Sequence, residues 1–176
     1  MKPNYKKSEQ EALRLLYEFN YKEPPVDPID IAKQMGIHVK MVTFDRNDVS
    51  GMYNYEQRTI YVNNNEIPTR KLFTVAHELG HAIMHDEYVR SKDYKILLRS
   101  SYDKDLVECE ADAFAAKVEC EADAFAANLM MPRFMIDKLK GLTTKEELAK
   151  IFAVSMSAIN NRIGFFKRFS KTYEQW

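Results

Sequence analysis

Apolar side chains recur at helical spacing close to the start of the chain. Within residues 8–19 they fall at Ala12, Leu13, Leu15, Leu16 and Phe19, with Ser8 and Glu11 spaced as a capping box. A proline-rich turn, KEPPVDPID, follows, and Asp27 ahead of Pro28 has the form of an N-cap before a first-turn proline. The short helix begun there ends at Gly36. The run IHVKMVTF alternates and reads as a strand, and MYNYEQRTIYVNN reads as two strands joined by a tight turn from Glu56 to Arg58. Helical periodicity returns from about Pro68 to Tyr88, and again from about Asp105 to Met131, where Pro132 stops it. A polar stretch separates these two helices. From Arg133 the pattern is helical, with a break from Gly141 to Thr144. Several helices with one short antiparallel sheet predict an α+β fold. No Gly/Ser-rich linker divides the chain. Residues 1–142 are expected to form the main domain, with 143–176 a set of helix-turn-helix-like helices packed as part of it.

Composition narrows the function. A chain of 176 residues is one domain's worth. Its 26 basic and 26 acidic side chains cancel, which argues against a protein devoted to a phosphate backbone or an anionic membrane. No window approaches ~18 uninterrupted apolar residues, so no membrane span is expected. The opening MKPNYKKSEQEALRLL has no apolar stretch of signal-peptide type, and a cytoplasmic location is expected. The charge is uneven, however. Residues 102–131 carry eight acids and two bases, whereas 133–176 carry nine bases and four acids.

The acidic segment contains a tandem repeat. Residues 107–117, VECEADAFAAK, and 118–128, VECEADAFAAN, agree at ten of eleven positions. Three helical turns take ~10.8 residues, so an 11-residue duplication lengthens a helix by ~16.5 Å with almost no rotation. Cys109 and Cys120 occupy the same place in the two copies, too far apart along a helix for a disulfide.

The chemistry lies in His77-Glu78-Leu79-Gly80-His81, an H-E-x-x-H sequence within the apolar pattern Phe73, Val75, Ala76, Leu79, Ala82, Ile83. Histidines at i and i+4 share a helix face, and both imidazoles can reach one zinc ion at ~2.0–2.1 Å. Glu78 projects beside the ion, placed to take a proton from water. A catalytic site needs a third protein ligand and an open position. His85 stands ~12 Å along the helix from His77, too far to share the ion. Bringing a third histidine round takes a glycine break, as in metzincins, and no glycine lies between Gly80 and Gly141. An acid on the second helix fits better. Glu119 and Asp123 stand at i and i+4, so that one can bind the metal while the other accepts the free N–H of a ligating histidine. Glu108 and Asp112 repeat that chemistry in the first copy, and only one copy can reach the ion. Glu110 and Glu121 read as solvated.

The run RKLFTVAHELGH from Arg70 to His81, followed by the E-x-E-A-D-x-F-A-A-x-L-M-M-P block ending at Pro132, resembles the ImmA/IrrE family of metallopeptidases. The likeness extends over most of the chain, including Ser50-Gly51 and Ile60-Tyr61-Val62-Asn63. The resemblance implies a zincin fold of the gluzincin kind, bound zinc, and cleavage of a regulatory protein such as a repressor of a mobile element or stress response, or an antitoxin-like regulator. It further implies that the first acid of the E-x-E-A block binds the metal. That residue is Glu119, since only the second copy runs directly into Asn128-Leu129-Met130-Met131-Pro132; Glu108 is the alternative. Asp123 then orients a ligand. The competing function is a non-catalytic regulator that holds zinc structurally and binds protein or DNA.

For DNA the candidate segment is TKEELAKIFAVSMSAINNR, residues 144–162, which reads as helix, turn, helix with Ala153 where glycine is often found. Ser157, Asn160, Asn161 and Arg162 are expected on its outer face, with Lys167, Arg168 and Lys171 following. Tyr88, Tyr94 and Tyr102 follow the zinc helix and are candidates for steadying a reaction oxyanion.

Overall fold

The structure is a computed structural model. It describes residues 2–45, 49–90 and 108–169, with the side chains of 88, 89, 108–113, 168 and 169 outside the description. Helix α1 spans Tyr5–Glu18 and buries Ala12, Leu15 and Leu16. It starts a turn earlier than the Ser8 capping box predicts. Asn4 is the N-cap, its side chain accepting from the Lys7 N–H. Ser8 instead lies inside the helix, fully buried, and its hydroxyl donates to the Glu121 carbonyl oxygen at 2.9 Å. Either residue suits a cap, and the buried bond to a distant helix decides between them. Helix α2, Pro28–Gln34, has the expected start: Asp27 accepts from the N–H groups of Ile29 and Asp30, with proline in the first turn.

Three short strands follow: β1 His38–Val42, β2 Gly51–Asn54 and β3 Thr59–Asn63. Their order is β1-β3-β2, and β2 pairs antiparallel with β3 through the predicted turn. The sheet is mixed rather than wholly antiparallel, because β1 runs parallel to β3, with Val39 opposite Ile60. Alternation along a strand says which face is buried but not which neighbour it takes. Here the chain crosses from one edge, β1, to the other, β2, before the turn brings β3 into the middle.

Helix α3, Pro68–Met84, lies under the sheet. It ends at His85, and α4, Asp86–Arg90, follows, so the long helix expected to reach Tyr88 is broken in two. Helix α5 spans Glu108–Met130 and contains the repeat. Val75, Ala76 and Leu79 of α3 share one core with Ala126, Leu129 and Met130 of α5 and with Ile60 and Val62 of β3. No helix among the described residues is long and apolar enough to cross a membrane.

The remaining helices are α6 Arg133–Leu139, α7 Lys145–Ile151 and α8 Met156–Phe169. Thr144 and Glu147 close a capping box at the start of α7, and Ala153 in the turn beyond adopts a left-handed conformation, φ 53°. Phe152, Val154, Ile159, Ile163 and Phe166 join the same buried cluster as α1, α3 and α5. Ser157, Asn160 and Asn161 are exposed, as expected, but Arg162 is not. Its guanidinium is buried, donating to the Met131 carbonyl at 3.0 Å and to Asn128 Oδ1 at 2.6 Å. The side chain that a DNA-facing surface would use most holds the C-terminal end of α5. Arg168 and Lys171 lie outside the described side chains.

Two glycines set how closely these layers approach. A Cβ on Gly80 would stand 3.1 Å from Phe125 Cδ1 and 3.2 Å from the Ala122 Cα, so α3 and α5 meet with almost no side chain between them. A Cβ on Gly51 would stand 2.4 Å from Thr74 Cγ2 and 2.8 Å from the Tyr61 carbonyl oxygen, which brings β2 equally close to α3. Gly80→Ala forces the two helices apart by tenths of an ångström. The expected loss of stability, read by denaturant unfolding, is roughly 1–3 kcal/mol; an unchanged midpoint would rule out this contact as a limiting one.

Candidate metal centre

His77 and His81 sit on the side of α3 that faces α5, because a spacing of four returns a side chain to nearly the same side of the helix, and Glu78, one residue on from His77, meets the β2 backbone. Leu79 and Ala76 face the core and hold that stretch in place. On α5 the same spacing brings Glu119 and Asp123 opposite the histidines. His77 Nε2 and His81 Nε2 lie 3.0 Å apart. Glu119 closes the triangle, with Oε2 3.2 Å from His77 Nε2 and Oε1 3.3 Å from His81 Nε2. These three residues can hold a metal ion. A tetrahedral ion with ligands at ~2.0–2.1 Å has ligand-to-ligand edges of about 3.3 Å, which the triangle matches. The donor set of two imidazoles and a carboxylate suits zinc. Glu119 is 54% exposed, so the centre is open on its α5 side.

Around this triangle the remaining nitrogens and oxygens are mostly engaged. His77 Nδ1 meets Asp123 Oδ1 at 2.9 Å. His81 Nδ1 meets His85 Nδ1 at 3.3 Å, and His85 Nε2 meets Glu121 Oε2 at 3.0 Å. Glu78 is buried, and its Oε2 has no hydrogen-bond partner. The β2 backbone at Tyr53 hydrogen-bonds the Glu78 carboxylate.

Electrostatics follow from these contacts. Burial pushes the Glu78 carboxyl above the usual range, with the two histidines pulling the other way and Glu119 adding to the rise. Burial opposes a charge on His77, but Asp123 and Glu119 outweigh it and raise the group to about 10 in the metal-free protein. Burial likewise opposes the charge on Glu119, yet His77 and His81 hold its carboxyl far below the usual range. Burial lowers His85, in part offset by its bond to Glu121.

The sequence-predicted residues His77, Glu78, His81, Glu119 and Asp123 thus come together. Glu121 was expected in solvent and is 6% exposed instead. Its burial comes from α1, whose Asn4 N–H donates to Oε1 at 2.5 Å. Nothing in the spacing of the repeat distinguishes it from Glu110, since the packing of α1 on one copy is not encoded in either. Glu110 has its side chain outside the description, as do Glu108, Asp112 and Tyr88, while Tyr94 and Tyr102 lie outside the described residues altogether.

Packing C-terminal to the repeat explains why the second copy faces the histidines. A slip of eleven residues would put Lys117, Val118, Glu119 and Cys120 where Asn128, Leu129, Met130 and Met131 now lie. Met130 is fully buried and Met131 nearly so. A carboxylate in the Met130 site would be desolvated without a partner, at a cost of several kcal/mol. Lys117 would meet the Arg162 guanidinium in place of the Asn128 oxygen that accepts from it.

The chain is similar to a family model and to two known proteins. The family model of the IrrE N-terminal-like domain, Peptidase_M78, matches residues 32–164. A protein of Bacillus phage phi105 named uncharacterized immunity region protein 2 is 29% identical over 94 residues, covering 52% of this chain and 57% of its own length. A Mycobacterium tuberculosis transcriptional regulator superposes with TM-score 0.65 at 15% identity, covering 89% of this chain and 46% of its own. The chain therefore spans little more than half of the phage protein and under half of the mycobacterial one. The second likeness is one of fold.

Two outcomes are expected for metal binding. Glu119→Gln abolishes stoichiometric uptake of zinc, whereas Glu108→Gln leaves it intact; the reverse pattern would assign the site to the first copy. Binding must also displace the proton that His77 holds up to about pH 10. Apparent zinc affinity, read by chelator competition, should therefore climb about tenfold per pH unit through neutrality. A flat profile there would contradict the charge assigned to His77.

Proposed function

The chain belongs to the IrrE N-terminal-like peptidase family, and on that premise we propose that it is a zinc-dependent endopeptidase that cleaves a regulatory protein, a repressor. One observation carries this reading. A triangle of metal-ligating atoms on His77, His81 and Glu119 stands beside a buried carboxylate, Glu78, with an oxygen left unpartnered. A purely structural zinc site is closed by four protein ligands. This one has three among the described residues, an exposed side, and beside it a buried acid with one oxygen free to take a proton. The phage relative, by its name a protein of an immunity region, supports a substrate from that regulatory setting.

A zinc ion held here would polarise the scissile carbonyl and acidify water. The side chains supply the rest. Glu78 takes a proton from the attacking water on Oε2 and passes it to the leaving amine nitrogen. Its raised pKa suits both halves of that task, because a stronger base accepts the proton more readily while remaining able to give it up. The Tyr53 backbone bond steadies the carboxylate. Asp123 accepts from His77 Nδ1 and keeps Nε2 free as a ligand atom. The edge strand β2 passes Glu78, and among the described residues its outer side pairs with no strand. An extended segment of substrate would add there by backbone hydrogen bonds. This explains how the site would take a loop or terminus of a folded regulator.

Glu78→Gln should retain zinc and lose cleavage of a co-expressed repressor by at least about 100-fold, the scale of general-base loss. Retained cleavage in this variant would overturn the mechanism. The wild-type rate should fall as pH drops through the raised Glu78 pKa, since the base must be deprotonated.

A further inference from the structure

Asp123 partners the outer nitrogen of His77 from the exposed surface. The outer nitrogen of His81 has a different environment. His81, His85 and Glu121 are 1%, 9% and 6% exposed, and they form a continuous hydrogen-bonded row. We propose that His85 and Glu121 are positioning residues for the metal centre, a buried imidazole–carboxylate pair that sets the tautomer and ring plane of His81. The proposal rests on the reading of His77, His81 and Glu119 as metal ligands.

Proton accounting leads to one arrangement. A ligand nitrogen must offer a lone pair, and His81 turns Nε2 toward His77 and Glu119. Its proton then sits on Nδ1 and needs an acceptor. A neutral imidazole has one donor and one acceptor nitrogen, so His85 must accept at Nδ1, 3.3 Å away, and carry its own proton on Nε2. That N–H donates to Glu121 Oε2 at 3.0 Å. The carboxylate at the end of the row thus selects the tautomer at its beginning.

Glu121 is itself secured from the other side. The Asn4 N–H donates to Oε1, Lys117 Nζ lies 3.6 Å from the same oxygen, and the Ser8 hydroxyl donates to the Glu121 main-chain carbonyl. Asn4 and Ser8 precede the segment that the family model matches, which starts at residue 32. The start of α1 therefore bears on the orientation of a ligand that it does not touch. Filling space does not explain the pair, because apolar side chains of similar volume would pack there without desolvating a carboxylate.

Glu121→Gln tests the pair with little change of shape. One amide cannot accept from both Asn4 and His85, so either His85 flips its tautomer or a buried N–H loses its partner. Full-length wild-type and variant proteins are compared by zinc competition with a chelator, by the d–d spectrum of the cobalt-loaded form and by thermal unfolding without metal. The variant should bind zinc 10- to 100-fold more weakly, in the range of ~10–100-fold typical for lost ligand partners. It should also shift the cobalt bands, while the metal-free protein still unfolds in one cooperative transition well above the assay temperature. Equal affinity with identical cobalt bands would overturn the proposal. A second measurement needs no variant: nitrogen-15 histidine NMR of the zinc-loaded wild type should place the His85 proton on Nε2. A proton on Nδ1 would also overturn it. Wild-type protein that takes up no zinc would overturn the metal-centre reading and this proposal together, whereas zinc-binding wild type with an indistinguishable variant would overturn this proposal alone.

Discussion

At the crossing of α3 and α5 the backbone of one helix rests almost on the backbone of the other. Gly80 and Ala122 leave room for little else, and Phe125 packs over the gap. A side chain the size of glutamate reaches only a few ångströms, so Glu119 can close a triangle with His77 and His81 only if the helix axes come this near. The glycine inside the H-E-x-x-H sequence is therefore part of the site's geometry, although it contributes no ligand atom. The same close approach buries Glu78 and leaves it in a medium that raises its pKa. Gly51 repeats the device on the opposite side of α3, drawing β2 in until its backbone meets the Glu78 carboxylate.

Burying so many titratable groups carries a cost that the arrangement offsets in two ways. Each histidine of the triangle has a partner for its outer nitrogen, Asp123 in one case and His85 in the other. The acids on α5 divide the remaining duties. Glu119 faces His77 and His81, Asp123 faces His77 from solvent, and Glu121 lies between His85 and the start of α1, which covers it. A four-residue and a two-residue spacing on one helix thus serve three separate contacts. This explains why the stretch is so acidic, and why a net charge of zero for the whole chain says little about its surface.

The duplication tests how such a site keeps its register. Eleven residues make nearly whole turns, so either copy presents the same face to α3. Local preference cannot choose between them. The choice comes from beyond the repeat, where Leu129, Met130 and Met131 enter the core and Asn128 meets Arg162. Those contacts hold the second copy against the histidines, and the first extends the helix N-terminally.

The residues alone determine whatever depends on neighbours along the chain. A spacing of four places His77 and His81 together; Asp27 and Pro28 start α2; Thr144 and Glu147 start α7; the turn at Glu56–Arg58 joins β2 to β3. Each is settled within about one helical turn or one hairpin, and the family motif belongs to the same class. What required the tertiary structure is everything decided by a partner far away in sequence. The parallel pairing of β1, the move of the α1 cap from Ser8 to Asn4, the burial of Arg162 and the burial of Glu121 all depend on contacts between elements. A charged or polar side chain carries no local mark of the atom that will desolvate it. Its fate is set by which helix arrives to cover it, and that is a property of packing.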